Sequence, residues 1–194
     1  MNRFLFASFL SLCLMGCKSK KKNDTPVANF FVSDYIKGQV AMLDTMHRPF
    51  VKIETLNQKH DTASITAAEA KVLAKDFLDL PDISSDKFRD DYEVSHLYDD
   101  LQEAFIFTYT TKEAHPVQRE DVTVEPQPNA KGQNDIRSVY ADYWMNEDKA
   151  SVRKNMLWQA DKSFQITTTT DAPGTAQTIK RITVIWNGFE SQMK

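Results

Sequence analysis

The feature that most constrains this chain is a change of period. From residue 90 onward, apolar side chains recur at every second position. "YEVSHLY" (92–98) alternates Tyr92, Val94, His96 and Tyr98, and "EAFIFTYTT" (103–111) puts Phe105, Phe107 and Tyr109 on one side. "REDVTVEP" (119–126) reads as a shorter, polar strand. "DIRSVYADYWM", "SVRKNMLWQA", "SFQITTTT" and "TIKRITVIWN" then come at short intervals between 135 and 187. In the second of these four Val152, Met156 and Trp158 share a face with Lys154, and in the third Phe164 and Ile166 oppose Gln165, Thr167 and Thr169. One apolar and one polar face is the pattern of antiparallel strands covered on one side. Links as short as "ADKS" (160–163) suit hairpins, and "PQPNAKGQND" (126–135) is a loop by composition.

Upstream, the period is that of a helix. In "FFVSDYIKGQVAMLDTM" (30–46), Ser33 is placed to cap a helix, Asp34 suits its first turn, and Ile36, Val40 and Leu43 recur on one face, ending near His47 before Pro49. "FVKIETLN" (50–57) reads as a short strand. "TAAEAKVLAKDFLDLP" (66–81) opens with Thr66 and Glu69 in capping-box spacing, carries Val72, Leu73, Phe77 and Leu80, and stops at Pro81. The expectation is an α+β domain over residues 30–194: an antiparallel sheet of about six or seven strands with two N-terminal helices packed on its apolar face. A hydrophobic content of 41% and a charged content of 26% supply such a core.

The first 29 residues differ from all of this. Met1, Asn2 and Arg3 form a short positive start, and Phe4 to Met15 an apolar run that suits a secretory signal but is short for a membrane span of roughly 20 residues. Leu14, Met15, Gly16 and Cys17 ("LMGC") end that run, and polar Lys18 to Thr25 come directly after it. This segment resembles the lipobox of bacterial lipoproteins, with Met15 a less usual residue at its position. The resemblance covers residues 1–17 and implies a signal peptide over 1–16, cleavage between Gly16 and Cys17, and acylation of Cys17. Residues 17–29 would then be the lipidated cysteine and a flexible tether. The implied partner is a Gram-negative membrane, reached through N-terminal acyl groups such as palmitate. Because Lys18 stands where an inner-membrane retention aspartate would, the implied location is the outer membrane, on its periplasmic face. Cys13 would leave with the signal and Cys17 would be blocked, so the domain would hold without a disulfide. A core cysteine and an uncleaved anchor helix are the two competing readings of Cys17; the polar flank opposes the first and the short apolar run the second.

The domain itself carries no motif that names a reaction. The four histidines, His47, His60, His96 and His115, stand in neither HExxH nor HxH spacing, and five glycines cannot build a phosphate loop. No metal or cofactor is called for. A formal charge of −3 without a basic patch in the domain speaks against nucleic acid. "RDDYEVSHLYDDLQE" (89–103) gathers Asp90, Asp91, Glu93, Asp99, Asp100 and Glu103; without EF-hand spacing it reads as a solvated turn with Lys87 and Arg89 as partners. On the strand 135–145, Tyr140, Asp142 and Trp144 share one face and Val139 and Tyr143 the other. Core filling is the ordinary explanation, and a stacking platform built on Tyr140 and Trp144 is the functional one.

Three functions from different classes are compatible with these residues. The first is a non-enzymatic module that binds a ligand or partner, between a curved sheet and its helices. The second is an interaction accessory in envelope assembly, docking through a sheet edge or patch. The third is a small enzyme with His, Asp and Tyr in a cavity, which the missing nucleophile and metal motifs disfavour. A large apolar cavity argues for the first, a filled core with an exposed apolar patch for the second, and a cavity lined by His96 together with a carboxylate for the third.

Overall fold

The structure, a computed structural model, describes residues 30–147 and 150–188. The signal peptide, Cys17 and the tether expected over residues 1–29 lie outside the described residues.

One antiparallel sheet of nine strands organises the described chain, with strand order β2-β1-β9-β8-β7-β6-β5-β4-β3. Seven strands form a simple meander: β3 (Tyr92–Asp99), β4 (Ala104–Thr111), β5 (Val117–Pro128), β6 (Asn134–Glu147), β7 (Ala150–Gln159), β8 (Ser163–Asp171) and β9 (Thr178–Ile185). The hairpin of β1 (Phe50–Leu56) and β2 (Lys59–Ile65) is added at the far side, where β1 pairs with β9. The α+β expectation holds, and the strand count exceeds the expected six or seven. The chain crosses from one edge of the sheet, β2, to the other, β3, by way of two short helices.

Those helices are a correction to the sequence reading. α1 (Val32–Met42) starts from Phe31, not Ser33, and runs into a 3-10 turn at Leu43–Thr45. Val32, Ile36, Val40 and Leu43 are its buried stripe. The expected second helix is split into α2 (Ala67–Leu73) and α3 (Lys75–Leu78) at Ala74, whose φ of −79° and ψ of −1° interrupt the helix. The capping box forms as its spacing predicts: Thr66 Oγ1 accepts from the Glu69 amide at 3.2 Å, and Glu69 Oε2 accepts from the Thr66 amide at 2.8 Å. Across the break Ala70, Ala74 and Phe77 keep one buried stripe at i, i+4 and i+7, while Val72 lies off that stripe and is 73% exposed.

All three helices lie on one face of the sheet. Phe77 meets Trp158 edge-on with centroids 5.3 Å apart and Phe164 at 5.9 Å, Phe30 sits 5.0 Å from Phe107, and Tyr35 Oη donates to the Ile136 carbonyl. Strand register carries the same face across the ladder: Val122, Val139, Trp158, Phe164 and Val184 stand opposite one another on successive strands. Each of those five is fully buried. Register shifts along the β5–β6 pair mark bulges, which bend a sheet.

Candidate functional site

Among the described residues, an apolar concavity lies where α2 stands over the β1–β2 hairpin. It is a cleft of about 370 Å³, lined by Lys52, Ile65, Ala68, Glu69, Val72 and Leu73. The capping box sets it up: Thr66 starts α2 directly after β2, so Ala68 and Val72, one helical turn apart, project over the hairpin. The sheet side carries its own charges. Glu54 accepts Lys52 at 3.0 Å and Lys180 at 2.9 Å, and this double pairing holds its carboxyl below the usual carboxylate range. Glu69 is likewise held low by the Thr66 donors. The charged groups at the rim are therefore engaged within the protein, and the interior is left apolar.

Two smaller clefts continue around the helices. One, of about 270 Å³, lies on the other side of Val72 and Leu73, against Ile166, Thr168, Lys180 and Ile182. The other, of about 210 Å³, borders α3, where Asp76 accepts from Lys154 at 2.7 Å over Met156 and Tyr143. Volumes of roughly 300–1,000 Å³ are usual for small-molecule sites, so only the first is of that size.

Tyr140 and Trp144 stand together on the opposite, uncovered face, as the parity of β6 predicts. Their surroundings are polar. Arg153 grips Asp142 through two bonds, Nε to Oδ1 at 2.9 Å and Nη2 to Oδ2 at 2.6 Å, and its guanidinium lies 5.6 Å from the Trp144 ring centre. Asn155 Nδ2 donates to Tyr140 Oη at 2.8 Å and to Asp142 Oδ1 at 3.2 Å. Tyr140 is half-buried and Trp144 is 47% exposed. The arrangement is a hydrogen-bonded lattice across β6 and β7, in which one face of the indole already carries a cation.

Sequence reasoning missed a second polar group, under the helices. Glu120, on what reads as a polar strand, is 2% exposed and faces the covered side. Burial, reinforced by the charges of Asp82 and Asp121, pushes its carboxyl up to about 8. Nearby, His115 Nε2 lies 2.7 Å from Asp91 Oδ2, and its ring stacks on Tyr92 with centroids 5.8 Å apart. Strict alternation with Val122 and Val124 was the signal for Glu120, and a plain charge count hid it. His115, distant in sequence, is a partner for Asp91 that the local pattern of residues 87–103 does not reveal.

The other histidines are dispersed. His96 is exposed and stacks on Phe107 at 5.7 Å, His60 bonds Thr55, and His47 is exposed. His96 lines none of the three clefts described. Among the described residues no group of three or more His, Cys, Asp or Glu side chains is placed to hold a metal ion, and no helix is long and apolar enough to cross a membrane. Gly16 and Cys17 lie outside the described residues. No family model, curated protein or solved structure matches the chain.

Proposed function

We propose that this chain is a lipid-anchored lipoprotein of the cell envelope whose domain is a non-enzymatic module, binding a small apolar ligand between α2 and the β1–β2 hairpin. The carrying observation is Val72, an aliphatic side chain 73% exposed over an apolar cleft of about 370 Å³. A folded chain gains by burying such a group, roughly 1.5–3 kcal/mol for a whole aliphatic side chain, and a ligand in the cleft would collect part of that gain. The cleft suits a short acyl or single aryl group. Lys52 and Glu69 at its rim stay paired within the protein and leave no net charge to recruit an ion. The His115–Asp91 pair lies outside all three clefts, which favours binding over catalysis. The anchor rests on the "LMGC" segment, and acylation at Cys17 would hold the module at the outer membrane, facing the periplasm.

The test is extraction of the full-length chain from membranes, with mass spectrometry of the molecules that co-purify. An apolar small molecule should accompany the wild-type protein and be lost from Ala68→Phe, which fills the cleft, and from Val72→Glu, which charges it. Both positions are exposed, so both variants should fold. Recovery of the same molecule with either variant would sink the cleft assignment. Separately, Cys17→Ser should abolish acylation and release the protein from membranes; a processed, membrane-retained Cys17→Ser protein would remove the anchor.

A further inference from the structure

The two edges of the sheet are built differently. β2 carries Lys59, His60 and Asp61 and has no large apolar side chain before Ile65. A short, charged strand of that kind resists pairing with another chain. β3, at the opposite edge, is charged only by Glu93 and Asp99 and carries exposed apolar side chains between them. Its eight residues keep unbroken register with β4, and it contains no lysine, arginine or proline. Glu93 through Tyr98 are all exposed, with Val94 at 45% and Leu97 at 54%, and Leu101 in the next turn is 97% exposed. No strand lies beyond β3 among the described residues, so its outward backbone groups are open to a further strand.

The flanks of this edge are acidic. Asp90, Asp91, Glu93, Asp99, Asp100 and Glu103 fall in one stretch that contains no lysine or arginine. Two cations reach these flanks: Arg137, which holds Glu125 through two bonds and also donates to the Gln102 carbonyl, and Lys112, which donates to the Asp90 carbonyl. With Arg89 next to Asp90 in sequence they still leave the six carboxylates in excess. Asp99 accepts from the Leu101 and Gln102 amides, which keeps its carboxyl ionised below the usual carboxylate range.

We propose that β3 is a docking edge that receives an extended strand from a partner protein, apolar at alternate positions and flanked by lysine or arginine. Main-chain hydrogen bonds would supply the pairing, and Val94, His96 and Tyr98 a shelf on one face. The carboxylates would select the partner's charge. A second copy of this chain fits poorly. Antiparallel pairing of two β3 strands centred on Ser95 places Asp91 opposite Asp99 and Asp90 opposite Asp100, and centring on His96 places Glu93 opposite Asp99. Like charges directly opposite are destabilising in a sheet.

The probe is a synthetic strand peptide of alternating valine and threonine, made once with lysine flanks and once with glutamate flanks, and titrated against the full-length chain by fluorescence anisotropy. The lysine-flanked peptide should bind at least about tenfold more tightly, and the advantage should shrink with added salt, as screening requires. Hydrogen exchange should slow at residues 92–99 when it binds. Glu93→Lys combined with Asp100→Lys, both at exposed positions, should reverse the preference. Equal affinity for the two peptides, or no protection of β3, overturns the proposal. So does a dimer of the free chain by light scattering that dissociates on Leu97→Lys. Binding that emerges only after Lys18, Lys20, Lys21 and Lys22 are replaced by serine also overturns it, since the chain's own basic stretch would then be the occupant.

Discussion

Glu120 on β5 stands directly across the ladder from Tyr109 on β4, on the covered face of the sheet, and its Oε1 has no hydrogen-bond partner among the described residues. Burial pushes the carboxyl from 4.5 up to about 8 and, with the Glu120 charge second, pushes Tyr109 up to about 12. At neutral pH the folded protein therefore holds Glu120 protonated, while the unfolded chain ionises it. Because the folded pKa is raised, the stability linked to this proton is fully present below about 4.5 and is lost as pH rises toward 8. At about 1.4 kcal/mol per unit, unfolding free energy should fall by roughly 3 kcal/mol between pH 4.5 and 7. Glu120→Gln should flatten that slope and exceed wild type above pH 8. Denaturant titrations across pH 4.5–9 decide it, and an unchanged slope in Glu120→Gln would place the titrating group elsewhere.

The three tryptophans separate by face. Trp158 and Trp186 alternate with Met156 and Val184 and are 0% and 5% exposed, stacked among Phe77, Phe164 and Phe50. Replacing either with alanine should cost about 3–5 kcal/mol, the usual loss for a large core aromatic. Trp144 is on the uncovered face, where Arg153 lies over its ring. Trp144→Ala should cost under about 2 kcal/mol, through lost packing and one cation–π contact. Equal losses for all three in urea titrations would mean that the uncovered face is buried against something.

How much of this was legible in the sequence depends on what each residue has to declare. Strands with one apolar face declare themselves by alternation, so β3, β4 and β6–β9 could be read off, along with the shared face of Tyr140 and Trp144. β2 could not, because "KHDTASI" is polar on both faces, and its turn, Asn57-Gln58, lacks the glycine that flags a tight hairpin. The split at Ala74 has no local signal either, since alanine is the best helix former. The cleft forms between α2 and the β1–β2 hairpin, and since β2 could not be read from the sequence the cleft was invisible to pattern.

Gln58 carries a cost that glycine would remove. Its φ of 101° is in the left-handed half of backbone space, which side chains with a Cβ rarely occupy, and Asn57 beside it has a φ of 50°. Asn57 is needed where it is: its amide donates to the Ile179 carbonyl and its Oδ1 accepts from the Ile179 amide, each at 3.0 Å, pinning the hairpin to β9. Gln58 makes no comparable side-chain contact in the turn. Gln58→Gly should therefore stabilise the fold by about 1 kcal/mol, strain relief outweighing the added freedom of the unfolded chain. A lower melting temperature for Gln58→Gly would show that the glutamine conformation is unstrained there.

α2 depends on its cap more than a long helix would. It has seven residues, too few to persist alone, and its interior buries only Ala70. Of the donors at its start, the Glu69 amide is satisfied by Thr66 Oγ1, while Glu69 Oε2 closes the box by accepting from the Thr66 amide and hydroxyl. Thr66→Ala removes the first of these bonds and weakens the second, at a cost of about 1 kcal/mol. The cost should be local. Amides of residues 67–73 should exchange faster in Thr66→Ala, while those of β6, β7 and β8, in the middle of the sheet, should keep wild-type protection. Thr66→Ser retains the acceptor and should restore slow exchange. If exchange accelerates in the central strands as well, α2 is part of the cooperative core, and the cleft beneath it would open only when the whole sheet unfolds.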